Sequence, residues 1–338
     1  MNKSKKIFLG GAATVLAGVS VYKYISMQKN GNETAEIWTT ADIPDLTGKV
    51  IIVTGANSGI GFEASKEFTH KGAQTILACR DLEKGQIALD QLKAESPDAS
   101  AEMMQLDLAS LESTQQFAEA FKAKYDRLDV LLNNAGIMMA PYGKTEDGFE
   151  SQFGTNHLGH FALTGLLIDH LSKTPDARVV NISSNGHRFG KMDFDDLMFE
   201  ENKYSSIGAY ARSKLANLLF TYELQRRFEA QDLDVIAVAA HPGTSETNLG
   251  VHLEDHPAYK IMQPIFGKMS QSAAMGALPS IRAAVDPDVA GAEYFGPDGT
   301  MQAKGYPVLV PSSKASHNQT DAQKLWEISE ELTGIQYL

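Results

Sequence analysis

Residues 50–61 constrain this chain more than any other stretch. Val50-Ile51-Ile52-Val53-Thr54 is an unbroken β-branched run, and Gly55-Ala56-Asn57-Ser58-Gly59-Ile60-Gly61 follows it directly. A strand with no polar alternation is one buried on both faces, as in parallel sheets. Glycines admit backbone angles that other residues avoid. Residues 62–68 then read as a helix, whose free amides and positive dipole end suit a phosphate. Alone, such a bend is equally the mark of an ordinary strand-to-helix turn. The rest of the chain separates the two.

Short apolar strands and longer helices alternate downstream. Residues 74–80, 103–108, 128–132, 178–183 and 233–239 read as the second to sixth strands. Helices are expected over 82–95, 111–125, 149–171 and 206–228. This alternation implies an α/β fold, a parallel sheet covered on both faces. Past residue 240 the pattern loosens into a helix over 270–284, a strand over 307–310 and a closing helix over 322–332. The segment 252–265 carries Tyr259, Ile261 and Met262 between Pro257 and Pro264. It reads either as a mobile cover for a pocket or as a plain surface helix. There is no repeat at solenoid spacing and no second core, so one domain is expected.

Composition narrows the function. At 338 residues and 43% hydrophobic content the chain can bury a large core. A net charge of −12 leaves no basic surplus, so no nucleic-acid partner is expected. The single cysteine, Cys79, cannot form an intrachain disulfide and points to a reducing compartment. His157, His160, His187 and His241 form no metal-ligand pattern. His157 and His160 read as packing or polar satisfaction on their helix.

Several motifs occur in order along the chain. Thr54 to Gly61 has the spacing T-G-x-x-x-G-x-G, and Asn133-Asn134-Ala135-Gly136 follows the fourth strand. Asn156 begins Asn156-His157-Leu158-Gly159, and Ser184 ends the fifth strand. Tyr210 and Lys214 form Y-x-x-x-K, and Pro242-Gly243 follows the sixth strand with Thr247 just beyond. In this joint order the chain resembles the short-chain dehydrogenase/reductase family from about residue 45 to 338. Leu77-Ala78-Cys79-Arg80-Asp81 and Tyr210-Ala211-Arg212-Ser213-Lys214 are most similar to its retinol dehydrogenase-like group. Light-dependent protochlorophyllide reductases share several of these stretches. Those enzymes have cysteines near their substrate, and here the only cysteine sits at the second strand end. The resemblance implies a Rossmann-type doubly wound parallel sheet in a single domain. It also implies hydride transfer between a nicotinamide nucleotide and a carbonyl or alcohol.

The site residues follow from that order. Tyr210 and Lys214 lie four apart and share one helix face. A phenol, with a reference pKa of ~10, moves protons poorly at neutral pH, and a nearby ammonium is expected to lower that value. Tyr210 can then act as general acid or base at a substrate oxygen. Ser184 would hold the same oxygen, with Ser183 as the competing serine. The resemblance places Asn156 nearby, supporting a water that leads to Lys214.

For the cofactor, Gly55, Gly59 and Gly61, with Asn57, Ser58 and Ile60 between them, would let the backbone approach a pyrophosphate. Asp107, followed by Leu108, would accept from the adenine amino group, or would instead cap the next helix. Asn134, Ala135 and Gly136 would pass the ribose, and Pro242, Gly243 and Thr247 the far phosphate or carboxamide. Cys79 occupies the place where an acid usually grips the free ribose hydroxyl of NAD, and Arg80 comes next. A guanidinium matches a 2′-phosphate in charge and fork geometry, so NADP(H) is expected unless Asp81 takes Arg80 instead.

Met138, Met139, Phe189, Met262 and Phe266 suggest a lipophilic substrate of the retinal, steroid or aldehyde kind, although each could be core packing. A non-enzymatic, redox-sensing nucleotide module is the alternative, and the set Asn156, Ser184, Tyr210 and Lys214 speaks against it.

At the N-terminus, Lys3, Lys5 and Lys6 precede an apolar run over 7–21. As a helix this run reaches ~22 Å, against ~30 Å for a bilayer core. Tyr22, Tyr24 and the lysines extend that reach. An uncleaved anchor, a cleaved secretory signal and an interfacial helix all fit. The anchor is preferred, because export would part the domain from the intracellular nucleotide pool. The expected organisation is an anchor over 1–27, a linker over 28–44 and a catalytic domain over 45–338 facing the cytoplasm. The long helices flanking the fifth strand would suit a homodimer.

Overall fold

The computed structural model describes residues 37–245 and 270–337. The chain divides into the units Met1–Ile37 and Trp38–Leu338, and the fold below is that of the second. The N-terminal run over 7–21 lies outside the described residues. Among those described, no helix is long and apolar enough to cross a membrane.

The strands are β1 (Val50–Thr54), β2 (Gln74–Cys79), β3 (Ala101–Gln105), β4 (Val130–Asn133), β5 (Ala177–Ile182), β6 (Val235–Ala240), β7 (Tyr294–Pro297) and β8 (Pro307–Leu309). They form one sheet in the order β3-β2-β1-β4-β5-β6-β7-β8. All pairings are parallel except β7 with β8. The order reverses direction between β1 and β4, and the crevice beyond their carboxyl ends is where such sheets bind nucleotides.

The helices are α1 (Gly59–His70), α2 (Leu82–Glu95), α3 (Leu111–Lys122), α4 (Ser151–Phe153), α5 (Gly159–Leu166), α6 (Ile168–Lys173), α7 (Ser206–Ala230), α8 (Ala273–Val285) and α9 (Gln319–Thr333). Strand alternation sends Ile51 and Val53 of β1 to one face and Val50 and Ile52 to the other. The first face packs on α1, α2 and α8 through Phe68, Leu92 and Ile281. The second packs on α3, α5 and α7 through Phe121, Phe161 and Phe228. The single α/β domain wound on both faces is therefore as the alternation implies.

At the end of the sheet away from the crevice, Asp129 fastens β1 beside β4. Its carboxylate accepts from Val50 N at 2.9 Å and from the Arg127 guanidinium at 2.8 and 2.6 Å, and pairs with Lys49 Nζ at 3.0 Å. Burial raises its pKa, but these donors outweigh burial and hold the carboxyl below its usual range.

Three features depart from the pattern. The expected helix over 149–171 is broken into α4, a π-helical turn at Gly154–Leu158, α5 and α6. Glycines bound the wide turn, and a Cβ would fit at neither end. It would meet Thr145 Cγ2 at 2.5 Å from Gly154 and the Leu108 carbonyl at 2.4 Å from Gly159. β7 escapes a sequence reading because its four residues end in Gly296-Pro297, which signals a turn. Trp38 and Ile43, within the stretch read as linker, are buried in the main core.

The helices flanking β5, where a homodimer was expected to form, are partly covered from within the chain. α9 packs on α7 and on Phe161 of α5. Its Ala322 and Leu325 pack on Leu215 and Leu219, and Trp326 packs with Phe161 and Phe220.

Candidate active site

The glycine turn is as tight as its sequence suggests. Gly55 and Gly59 take left-handed angles, φ +66° and +57°. A Cβ on Gly61 would lie 2.5 Å from both the Gly55 carbonyl and Asn134 Nδ2, so only glycine lets α1 start there. Ser58 is the N-cap of α1 but makes no side-chain capping bond, which leaves amides at the helix start available to an anion.

Thr54 joins this turn to the segment after β4. Its hydroxyl oxygen accepts from Asn134 N and Ala135 N, both at 2.9 Å, and Asn134 Nδ2 donates to Thr54 O at 2.8 Å. Thr54 Oγ1 also lies 2.9 Å from His160 Nε2. His160 Nδ1–H donates to the Asn156 carbonyl at 3.0 Å, so Nε2 is the acceptor and the threonine supplies the proton. Burial pushes this imidazole down to about 4, keeping it neutral. His160 is thus polar satisfaction, as its helix position suggests. His157 is alike, bonding Ser329 Oγ at 3.0 Å among Phe153, Phe161 and Phe220. Among the described residues no cluster could hold a metal.

The turn, the Asn134–Gly136 segment and the start of α7 line a cleft of about 320 Å³. Asn57, Ser58, Ile60, Asp107, Leu108 and Pro242 also border it. Ser183 lies on it too, as do Thr155 and Lys84, to which no motif pointed. Gly243 lies beside the cleft in a left-handed turn against the Ala303 carbonyl. Thr247 lies outside the described residues, as do Met262, Phe266 and the segment 252–265.

Tyr210 and Lys214 both face the cleft from α7. The Lys214 ammonium is 5.8 Å from the Tyr210 ring centre and donates to the Ile182 carbonyl at 3.1 Å. Lys214 is 3% exposed, and burial lowers its pKa to about 8. The expectation of a lowered Tyr210 pKa is corrected. Burial pushes the phenol up, and the Ser184 hydroxyl only partly opposes it.

The two serines are engaged differently, and of the pair it is Ser183 that borders the cleft. Ser183 Oγ donates to the Lys214 carbonyl at 2.8 Å, so its proton is engaged. Ser184 Oγ accepts from Gly186 N at 3.1 Å, which leaves its proton available. A Cβ on Gly186 would lie 3.3 Å from Tyr210 Cε1 and 3.4 Å from Ser184 Oγ, so the two side chains are neighbours.

Asn156 sits in the π turn. Its amide spans Ile137, accepting from the N–H at 2.8 Å and donating to the carbonyl at 2.9 Å, and donates to Ser213 Oγ at 2.9 Å. A Cβ on Gly136 would be 3.0 Å from Asn156 Oδ1 and 3.5 Å from Lys214 Nζ, so Gly136 packs against both.

At the cleft's other end, Arg80 is exposed beside β2. Asp81 does not take it. Asp81 caps α2 by accepting from Lys84 N at 3.0 Å, and pairs with Lys84 Nζ at 3.3 Å. Cys79 is buried beneath the turn, where burial pushes its thiol up to about 12 against the pull of the Ala56 and Asn57 amides. Asp107 accepts from Ala109 N at 2.9 Å, and the cap of α3 is Ser110 rather than Asp107. A nicotinamide dinucleotide fits this set: bare backbone at the bend, open amides at α1 and a cation where a ribose would end.

The short chain dehydrogenase family model matches residues 49–258, and the chain belongs to the short-chain dehydrogenase/reductase family. It is an oxidoreductase of that family, whose members include a Shigella flexneri short chain dehydrogenase solved complexed with NADP. That protein shares the fold at a TM-score of 0.57 and 24% identity, over 74% of this chain and 97% of its own. Within the family the chain is retinol dehydrogenase-like. It is 41% identical to human retinol dehydrogenase 13 over 296 residues, 86% of each chain. It also matches an uncharacterized protein from Mycobacterium paratuberculosis at a TM-score of 0.74 and 39% identity, covering 89% of this chain and 99% of that one.

Proposed function

We propose that this protein is an NADP(H)-dependent oxidoreductase acting on a carbonyl or alcohol of a lipophilic substrate such as retinal or a fatty aldehyde. The carrying observation is the pair Tyr210 and Lys214 on one face of α7, opening into a cleft whose far rim holds Arg80. The nicotinamide, when bound, would supply or take up the hydride. Ser184 would hydrogen-bond the substrate oxygen through its hydroxyl, keeping its proton, and hold that oxygen beside Tyr210. Tyr210, kept as a phenol by burial, would donate its proton to that oxygen during reduction and recover one during oxidation. Lys214, anchored by the Ile182 carbonyl, would set the charge beside the phenol. Asn156 would hold the Ile137 backbone and flank the ammonium.

Retinol, in the name of the human relative, fits a lipophilic substrate. Met138 and Met139 are half-buried, and Phe189 is 79% exposed just after the Ser184 turn. The apolar run over 7–21 would tether the domain to a membrane and face it to the cytoplasm.

The test is purified full-length chain with NADPH and a panel of all-trans-retinal and aliphatic aldehydes, read by loss of NADPH absorbance. Turnover is expected, and Tyr210→Phe is expected to lower kcat by at least ~100-fold while NADPH still binds. Nucleotide binding without turnover, unaltered by Tyr210→Phe, would favour the non-enzymatic module.

A further inference from the structure

We propose that His187 is a positioning residue that holds the Ser184 main chain against a C-terminal strap at residues 311–313. The inference rests on the reading of Ser184 given above. His187 lies in the one-turn 3₁₀ helix Asn185–Phe189 that follows Ser184. Its Nδ1–H donates to the Ser184 carbonyl at 2.6 Å, and its Nε2 accepts from Ser313 N–H at 3.0 Å. A carbonyl can only accept and an amide can only donate, so the two partners together dictate one neutral tautomer. The ring is fully buried, with its edge against Tyr294, and burial drives its pKa down to about 4.

A histidine that merely filled space would not commit both nitrogens to main-chain groups so far apart in sequence. Its neighbours act in the same sense. Asn185 Nδ2 donates to the Met301 carbonyl at 3.1 Å, and Arg188 Nη2 donates to the Pro311 carbonyl at 2.6 Å. Between them Gly186 lies against the Tyr210 ring and donates to Ser184 Oγ. The turn therefore touches both the hydroxyl and the phenol, and His187 is its buried link to the end of the sheet.

Two variants separate positioning from packing. His187→Asn puts an amide donor near the Nδ1 position and can keep the bond to Ser184. His187→Gln puts an acceptor near Nε2 and can keep the bond to Ser313 instead. Both lose the ring and are expected to lower Tm alike. With NADPH and the aldehyde turned over best by the unmodified enzyme, His187→Asn is expected to stay within about threefold in kcat. His187→Gln is expected to fall at least ~tenfold, with KM for NADPH unchanged. Equal kcat in the two would overturn the proposal.

Ser184→Ala, run alongside, keeps the two readings apart. If it leaves turnover intact, the role of Ser184 fails. If it abolishes turnover while the His187 pair are indistinguishable, only the His187 proposal fails. Should either variant not fold, nitrogen-15 NMR of the unmodified protein decides. A neutral Nδ1–H tautomer at pH 6 to 8 is expected, and an Nε2–H tautomer would overturn the assignment.

Discussion

Two cations stand at the rim of the cleft, and they are not equivalent. Lys84 is drawn to Asp81, whereas among the described residues Arg80 has no ion-pair partner. Arg80 is therefore the one free to meet a 2′-phosphate. Arg80→Ala is expected to raise KM for NADPH by at least ~tenfold and to leave KM for NADH nearly unchanged. Equal changes with the two nucleotides would remove the argument for NADP(H). Lys214 supplies a pH dependence. Its ammonium is present below a pKa of about 8 and lost above it. kcat/KM for reduction, which reports the free enzyme, is accordingly expected to decline as pH rises past about 8. A profile that stays flat to much higher pH would show that this charge does not assist the reaction. The sequence supplied the pairing of Tyr210 with Lys214 through their spacing, but not the sign of the phenol's shift. Spacing brings the ammonium into view, while the burial that outweighs it depends on segments far away in the chain.

At the scale of elements, the edge strand β3 is half-buried and interrupted by Glu102, so its reading over 103–108 misses its start at Ala101. By contrast β1, β2 and β4 to β6, buried parallel strands built on apolar runs, were legible. The break between α4 and α5 was not. Residues 149–171 are apolar enough for one helix, and nothing local reveals that Gly154 and Gly159 must each clear a neighbouring segment. That break sets Asn156 opposite Ile137, so an unreadable feature shapes a readable site. Gly159→Ala tests its tightness. The added methyl would meet the Leu108 carbonyl at 2.4 Å, and a backbone oxygen cannot rotate aside as a side chain can. A loss of about 1–3 kcal/mol is expected, with weaker NADPH binding because Leu108 borders the cleft. Thermal unfolding and nucleotide titration measure the two effects, and an unchanged Tm would show that the segment yields. Thr54 is a similar case. Its motif position marks it as necessary, but only the fold reveals that it joins two parts of the nucleotide site.

For the molecule as a whole, the closing helix matters most. Trp326 on α9 is 2% exposed, with Phe161, Phe220 and Tyr337 against it and the Arg227 guanidinium 4.0 Å from its ring centre. Trp326→Ala is expected to destabilise the fold by about 3–5 kcal/mol, read by urea denaturation. A loss below ~1 kcal/mol would mean that α9 is an appendage rather than part of the core. The sequence showed a closing helix but not its seat, since contact between residue 326 and residue 161 is a matter of topology. Cys79 has a practical consequence. The chain's one thiol, sealed under the nucleotide bend, stays out of reach of a colouring thiol reagent such as Ellman's while the bend is closed. The speed at which that reagent develops colour thus becomes a stopwatch for the bend's opening, and a bound dinucleotide should slow it.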